Sequence, residues 1–171
     1  DHLHLCGASM ERFLLRDGEQ LISQPIKGTI RKGDNTQEDE ALINELENSE
    51  KDRAENVMIV DLVRNDLARV SIPGQTQVEE LFGVYSYLQV HQMISTIKST
   101  VSENTAVKDI LEATFPMGSM TGTPKIAAMQ HIEELEDFKR GWYSGAVGYI
   151  SPTNDFDFNV VIRTLLCDEQ T

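Results

Sequence analysis

Cysteine is nearly absent from this chain: Cys6 and Cys167 are the only two in 171 residues. They lie far apart and neither has a histidine at metal-ligand spacing, which argues against a zinc site and against a disulfide framework. Basic residues are scarce too, with 15 Lys and Arg against 28 Asp and Glu, a net charge of −13. That balance disfavours a broad basic face, and with it binding to nucleic acid or to an anionic membrane. Long apolar runs and a signal-peptide pattern are also missing, so the expectation is a soluble, cytoplasmic protein with no membrane partner. There is no internal repeat and no low-complexity tract.

What remains is enough for one sizeable core. His2-Leu3-His4-Leu5 alternates like a strand from the outset, with no initiating Met, and the chain stops just after the apolar run Val160–Cys167. Residues 1–171 are therefore expected to be a partial domain, cut at both ends. The acidity is uneven. Asp34–Glu55 holds nine acids against two bases, which reads as a solvated helical surface or a mobile loop.

Patterning predicts a strand at Leu3–Ala8 and a hairpin of Arg12–Leu15 and Gln20–Ser23 around Asp17-Gly18. Pro25–Gly33 reads as a loop carrying Lys27, Arg31 and Lys32. Thr36–Glu47 reads as a polar helix or lid, and Ser49 to about Ala68 as a longer helix. After the Pro73-Gly74 turn come three predicted strands, Thr76–Val78, Leu81–Val90 and Met93–Val101. A short helix at Val107–Thr114 follows, and then two strands, Trp142–Ser151 and Phe156–Leu166, joined by a turn at Pro152–Asp155. Strand runs broken by helices indicate an α+β fold with a large, mainly antiparallel sheet and flanking helices.

The most informative stretch is Phe115–Lys125. Gly118 and Gly122 allow sharp turns, Thr123 can cap a helix, and Pro124 suits its first turn. Ile126, Met129, Ile132 and Leu135 then recur at helical spacing up to about Glu136. A glycine loop entering a helix offers N–H groups to an anion, although such loops are also ordinary connections. It is not a Walker loop: three residues separate the glycines and Lys125 follows Thr-Pro, so nucleotide binding is disfavoured.

Other residues stand out by type and place. Lys27, between a rigid Pro-Ile and a permissive Gly, is a candidate nucleophile if its charge is suppressed. Asp52 and Glu55 share one helical face and suit a hard cation such as Mg²⁺, or else form a plain acidic surface. Asp61, Asn65, Asp66 and Arg69, in an otherwise apolar stretch, are expected to bond internally. Glu11 and His91 are candidate acid–base groups, His91 with a satisfied core histidine as its alternative. Arg163, within the apolar Val160–Leu166 run, is the leading candidate for clasping a carboxylate.

These segments together resemble the chorismate-utilising enzymes. The resemblance rests on Ser9–Phe13, Pro25-Ile26-Lys27-Gly28-Thr29, Ala54–Asn56, Asp61–Leu67, Val90-His91, Gly118–Lys125, Gly145–Tyr149 and Val161–Thr164, in that order. It implies a chorismate-binding fold, chorismate as substrate, and Mg²⁺ held by Glu55 with Asp52 in support. It implies Glu11 as proton donor, His91 over the ring, and Thr29 among the substrate contacts. A carboxylate would be gripped by Arg163, Tyr149 and the N–H groups around Gly118, Ser119, Met120 and Thr121, with Lys125 adding positive potential. Lys27, at the variable position of Pro-Ile-X-Gly-Thr, points to the branch that aminates ring carbon 4 for para-aminobenzoate and folate. A glutamine amidotransferase subunit or domain would supply the ammonia. The alternatives are the anthranilate and isochorismate or salicylate branches, or a non-catalytic chorismate-binding fragment. The family has Pro where Met10 stands, and its second acidic pair for Mg²⁺ would fall beyond Thr171.

Overall fold

A computed structural model describes residues 3–167; His2, part of the alternation expected at the start, lies outside them. Two sheets are present among these residues. The smaller pairs β1 (His4–Gly7) with β9 (Thr164–Cys167), antiparallel, with Leu5 opposite Leu166. Cys6 and Cys167 fall on these two strands and are both free.

The larger sheet has seven antiparallel strands. It contains β2 (Arg12–Asp17), β3 (Gln20–Ser23), β4 (Ile26–Arg31), β5 (Thr76–Ser86), β6 (Val90–Thr100), β7 (Ala146–Ile150) and β8 (Phe156–Val160). Their order is β4-β6-β3-β2-β8-β7, with β5 on the other side of β6. β3 pairs with the second half of β6 and β4 with its first half, so β6 is the hub of this sheet. The β2–β3 hairpin forms as its Asp17-Gly18 signal predicts, with Gly18 at φ +59°.

Five helices accompany the sheets: α1 (Thr36–Glu47), α2 (Glu50–Ala68), α3 (Val107–Thr114), α4 (Gly118–Thr121) and α5 (Lys125–Leu135). Asn35 caps α1 by accepting from the Glu38 amide, and Ser49 caps α2 by accepting from the Asp52 amide. Each such cap stabilises its helix by about 1 kcal/mol. α2 lies against β4, β5 and β6 and buries Ile59, Val60, Leu62 and Leu67. The core continues through Phe13, Leu14, Leu21, Ile97, Ile110, Met117, Phe156 and Val160.

Several expectations are corrected. Pro25–Gly33 is not a loop: Ile26–Arg31 forms β4, whose broken register with β6 between Ile26 and Thr29 hid the strand pattern. The three strands expected between 76 and 101 are two, because Glu79–Leu81 is a bulged stretch of β5 and the chain reverses at 87–89. His91 therefore lies inside β6. The strand expected at Trp142–Ser151 is only Ala146–Ile150, and Phe156–Leu166 breaks after Val160 before re-entering the small sheet as β9. Gly118–Thr121 is a helical turn rather than an open loop, and Pro124, not Thr123, is the cap residue of α5. The α5 stripe is not buried either: Ile126 and Leu135 are 76% and 82% exposed.

Candidate active site

Glu11 sits where the chain passes from β1 into β2, and its carbonyl accepts the Val160 amide at 3.0 Å, anchoring it to β8. Burial pushes its carboxyl above the ordinary glutamate value. The nearby Ser119 hydroxyl and the charges of Lys27 and Arg163 oppose that rise without cancelling it. Three candidate residues from three other stretches thus act on the Glu11 carboxyl.

The backbone explains how each arrives there. Lys27 precedes Gly28, which has φ +94°, and both lie in the irregular part of β4. A Cβ at Gly28 would come within 3.0 Å of Leu46 and 3.1 Å of Asp52, so glycine is required by both its conformation and its contacts. Gly118 lets α4 press onto α2: a Cβ there would stand 2.5 Å from the Leu62 side chain. Arg163 is exposed, with φ +48°, at the corner between β8 and β9, and its carbonyl accepts the Ala8 amide at 3.0 Å. The expectation of a buried arginine inside a strand is therefore corrected; a left-handed corner turns it out of the sheet. Among the described residues neither Lys27 nor Arg163 forms an ion pair, and the charges of both act on the Glu11 carboxyl.

The rest of the turn is largely committed to itself. The Met120 amide donates to the Met117 carbonyl and the Gly122 amide to the Gly118 carbonyl. The Thr121 hydroxyl donates to the Met117 carbonyl at 3.3 Å, and the Met120 carbonyl accepts from Arg140 at 3.0 Å. The expected N–H cradle thus narrows to Gly118 and Ser119. Lys125 is not free to add potential to a ligand. Its ammonium donates to Asp66 Oδ2 at 2.5 Å and to the Thr114 carbonyl at 3.1 Å, with Asp66 only 7% exposed.

His91, Thr29 and Tyr149 are tied to other surroundings. The fully buried His91 ring has Nδ1 2.8 Å from the Ser86 hydroxyl and Nε2 2.8 Å from Asp39 Oδ1, so both nitrogens are partnered in the manner of a satisfied core histidine. Thr29 is exposed, opposite Gln92 in the sheet, and Tyr149 is 64% exposed on the outermost strand β7, opposite Asp157. No contact found among the described residues joins either to Glu11.

Asp52 and Glu55 lie in the first turns of α2. Asp52 accepts the Ser49 hydroxyl at 2.6 Å and packs on Gly28; Glu55 is exposed. Among the described residues no group of three or more His, Cys, Asp or Glu gathers as a metal cage. Mg²⁺ is content with one or two protein carboxylates and fills its remaining positions with water and substrate oxygens, so this pair fits part of such a site.

The residues that sequence reading missed are the ones that hold the turn in place. Asp66 was expected to bond internally, but its partner Lys125 lies 59 positions away and no local pattern links them. Arg140 left a faint trace in its i,i+4 spacing from Glu136, which it does pair with. No described helix is long and apolar enough to cross a membrane.

Comparison with known proteins gives a concordant result. A probable chloroplastic aminodeoxychorismate synthase of Oryza sativa subsp. japonica is 48% identical over 167 residues, covering 97% of this chain and 19% of that protein. Aminodeoxychorismate synthase component 1 of Escherichia coli K12 is 46% identical over 161 residues, covering 94% and 36%. The crystal structure of anthranilate synthase component I from Streptococcus pneumoniae TIGR4 superposes with a TM-score of 0.87 at 37% identity, over 99% of this chain and 37% of that one. The chain thus spans between a fifth and just over a third of the length of the relatives it matches. The sequence model for "chorismate binding enzyme" covers residues 1–171, and the chain belongs to that family.

Proposed function

We propose that this chain is part of an aminodeoxychorismate synthase component I, which replaces the 4-hydroxyl of chorismate with an amino group. The observation that carries the reading is the half-buried Glu11 carboxyl, which lines one small cavity with Gly118 and Ser119 and feels the charges of Lys27 and Arg163. The naming of relatives at 46–48% identity supports the same branch.

In this reading Glu11, protonated at higher pH than a free glutamate, donates its proton to the departing 4-hydroxyl, which leaves as water. The Lys27 amine bonds to ring carbon 2 as the ring double bond shifts. Ammonia then bonds to carbon 4, the Lys27–carbon bond breaks, and a proton returns to the carboxylate. The sum is chorismate plus ammonia giving aminodeoxychorismate plus water, with the enolpyruvyl ether retained. Arg163 holds a substrate carboxylate, alongside the backbone of Gly118 and Ser119. Asp52 and Glu55 would hold Mg²⁺, whose charge neutralises the ring carboxylate when bound. A glutamine amidotransferase subunit or domain is the proposed ammonia source, and the proposed location is the cytoplasm.

The test is Lys27→Ala in the full-length parent, with chorismate, ammonia and Mg²⁺ and the products separated by chromatography. Aminodeoxychorismate formation is expected to fall ~1,000-fold or more, the scale on which loss of a nucleophile acts. An unchanged rate and product would remove Lys27 from the mechanism. The second reading, anthranilate synthase, is favoured by the Streptococcus pneumoniae structure. A fluorescent product with release of pyruvate would establish it. Chorismate binding without turnover in the parent would instead support a non-catalytic module.

A further inference from the structure

The turn that carries Ser119 is closed at its base by a single side chain. Thr114 ends α3, Lys125 begins α5, and the ten residues between them include all of α4. The Lys125 ammonium donates to the Thr114 carbonyl at 3.1 Å, joining the residue before the segment to the residue after it. The same ammonium donates to Asp66 Oδ2 at 2.5 Å, which fastens the closed loop to α2. The pair is 12% and 7% exposed, out of reach of a ligand in solvent. Next to it, Gly118 packs against Leu62 of the same helix. Asp66, Thr114, Gly118, Ser119 and Glu11 are all among the residues that line one cavity of about 20 Å³. Clamp, loop and acid therefore share one small space.

We propose that Lys125 is a positioning residue rather than a substrate contact: with Asp66 and the Thr114 carbonyl it locks residues 115–124 onto α2 and so fixes the Ser119 hydroxyl against Glu11. The chain of contacts runs from Asp66 to Lys125 to the loop, then through Ser119 to Glu11. Lys27 of β4 and Arg163 of the β8–β9 corner face Glu11 from the other elements and are left in place when the clamp is cut. Cutting it withdraws the Ser119 hydroxyl from the cavity it shares with Glu11, where it opposes the effect of burial on that carboxyl. Glu11 then holds its proton to still higher pH.

This rests on the amino-transfer reading, so the test has one arm that needs no substrate. In the full-length parent, Lys125→Met and the doubly neutral Asp66→Asn/Lys125→Met are compared with Ser119→Ala and wild type. The double variant carries the test if an unpaired buried Asp66 prevents folding of the single one. In hydrogen–deuterium exchange, the amides of 115–124 are expected to exchange ~10-fold faster or more once the clamp is lost, with α2 unchanged. In turnover, kcat is expected to fall ~10- to 100-fold with KM for chorismate within about threefold, as a displaced catalytic group predicts. The high-pH limb of kcat is expected to move upward by the same amount in the clamp variants and in Ser119→Ala, with no further movement when Ser119→Ala and Lys125→Met are combined. A large rise in KM with the limb unmoved would make Lys125 a substrate cation and overturn the proposal, as would unchanged exchange of the loop. A wild-type parent that forms no aminodeoxychorismate defeats the functional reading alone; the exchange arm still decides the clamp.

Discussion

Glu11 shows how much chemistry one position can acquire from its surroundings. As a free side chain it would be ionised well below neutrality, from a value of 4.5. Burial raises that value, and a protonated carboxyl is what a departing hydroxyl requires. Because the acid must hold its proton, kcat is expected to decline as pH rises through the raised value. Glu11→Gln keeps the shape and removes the titration, so kcat should drop ~10²–10⁴-fold and the declining limb should disappear from the pH profile. A Gln variant that kept wild-type kcat would mean that some other group, or water, protonates the leaving oxygen. His91 offers the opposite lesson. Its residue type fits catalysis equally well, but Ser86 and Asp39 occupy both ring nitrogens and leave it a structural tie between β6, β5 and α1.

Helix α1 depends on that tie. Its acidic sequence gives it little apolar surface to bury, and Leu46 is its only buried residue among those described. What fixes its first turn is Asp39, whose carboxylate accepts the Gly33 amide at 2.8 Å and His91 Nε2 at 2.8 Å, with Lys32 at 3.7 Å. The Gly33 amide first, then His91, holds the Asp39 carboxyl below its ordinary 3.8. A carboxyl lowered on folding stabilises fully above its unfolded value and loses that contribution as pH falls through the folded one. Loosening of α1 by acid is therefore expected only below about pH 3.8. Asp39→Ala should produce the loosening at neutral pH, seen as roughly tenfold faster amide exchange in 36–47, while exchange in α2 stays as in wild type. Equal acceleration in both helices would show that Asp39 supports the whole core instead. Elements were legible where local signals agreed: Asp17-Gly18 for the β2–β3 turn, and for α2 the length of the segment with charged residues on both sides of Val57–Val60. They were not legible where a strand relies on its neighbours. β4 carries Lys, Gly and Thr in place of alternating apolar residues, and β6 buries His91, Gln92, Ser95 and Thr96, whose partners come from distant stretches. The candidate site's residues stand out in the sequence as motifs; the Lys125–Asp66 clamp does not, because nothing local marks a contact that far apart.

At the scale of the molecule, a chain of net charge −13 is proposed to take up an anionic substrate. The acids are concentrated in and around α1 and the start of α2, whereas Lys27 and Arg163, in no ion pair among the described residues, both act on Glu11, so the local field can oppose the overall one. The same scale sets what these 171 residues can do alone. Ile126, Leu135, Trp142 and Tyr143 are more than half exposed, and β1–β9 is a bare two-stranded sheet, an arrangement that is marginal in water without further packing. Arg163 and Thr164 sit on that small sheet's border, so any wavering of β9 displaces Arg163, the residue proposed to bind a carboxylate. Among the described residues no group of three or more His, Cys, Asp or Glu gathers for a metal, and the relatives compared are some three to five times longer. The 171-residue chain is therefore expected to turn chorismate over ~100-fold or more slowly than its full-length parent, because misplacing a catalytic group by about 1 Å already has that effect. The measurement is aminodeoxychorismate formation by chain and parent at equal concentration, each with saturating chorismate, ammonia and Mg²⁺, and again after chelation. The parent should lose activity on chelation, and the chain should be slow either way. Parent-like turnover by the chain would mean that residues 3–167 already hold everything the reaction needs, and that β9 is firm enough to aim Arg163 without a neighbour.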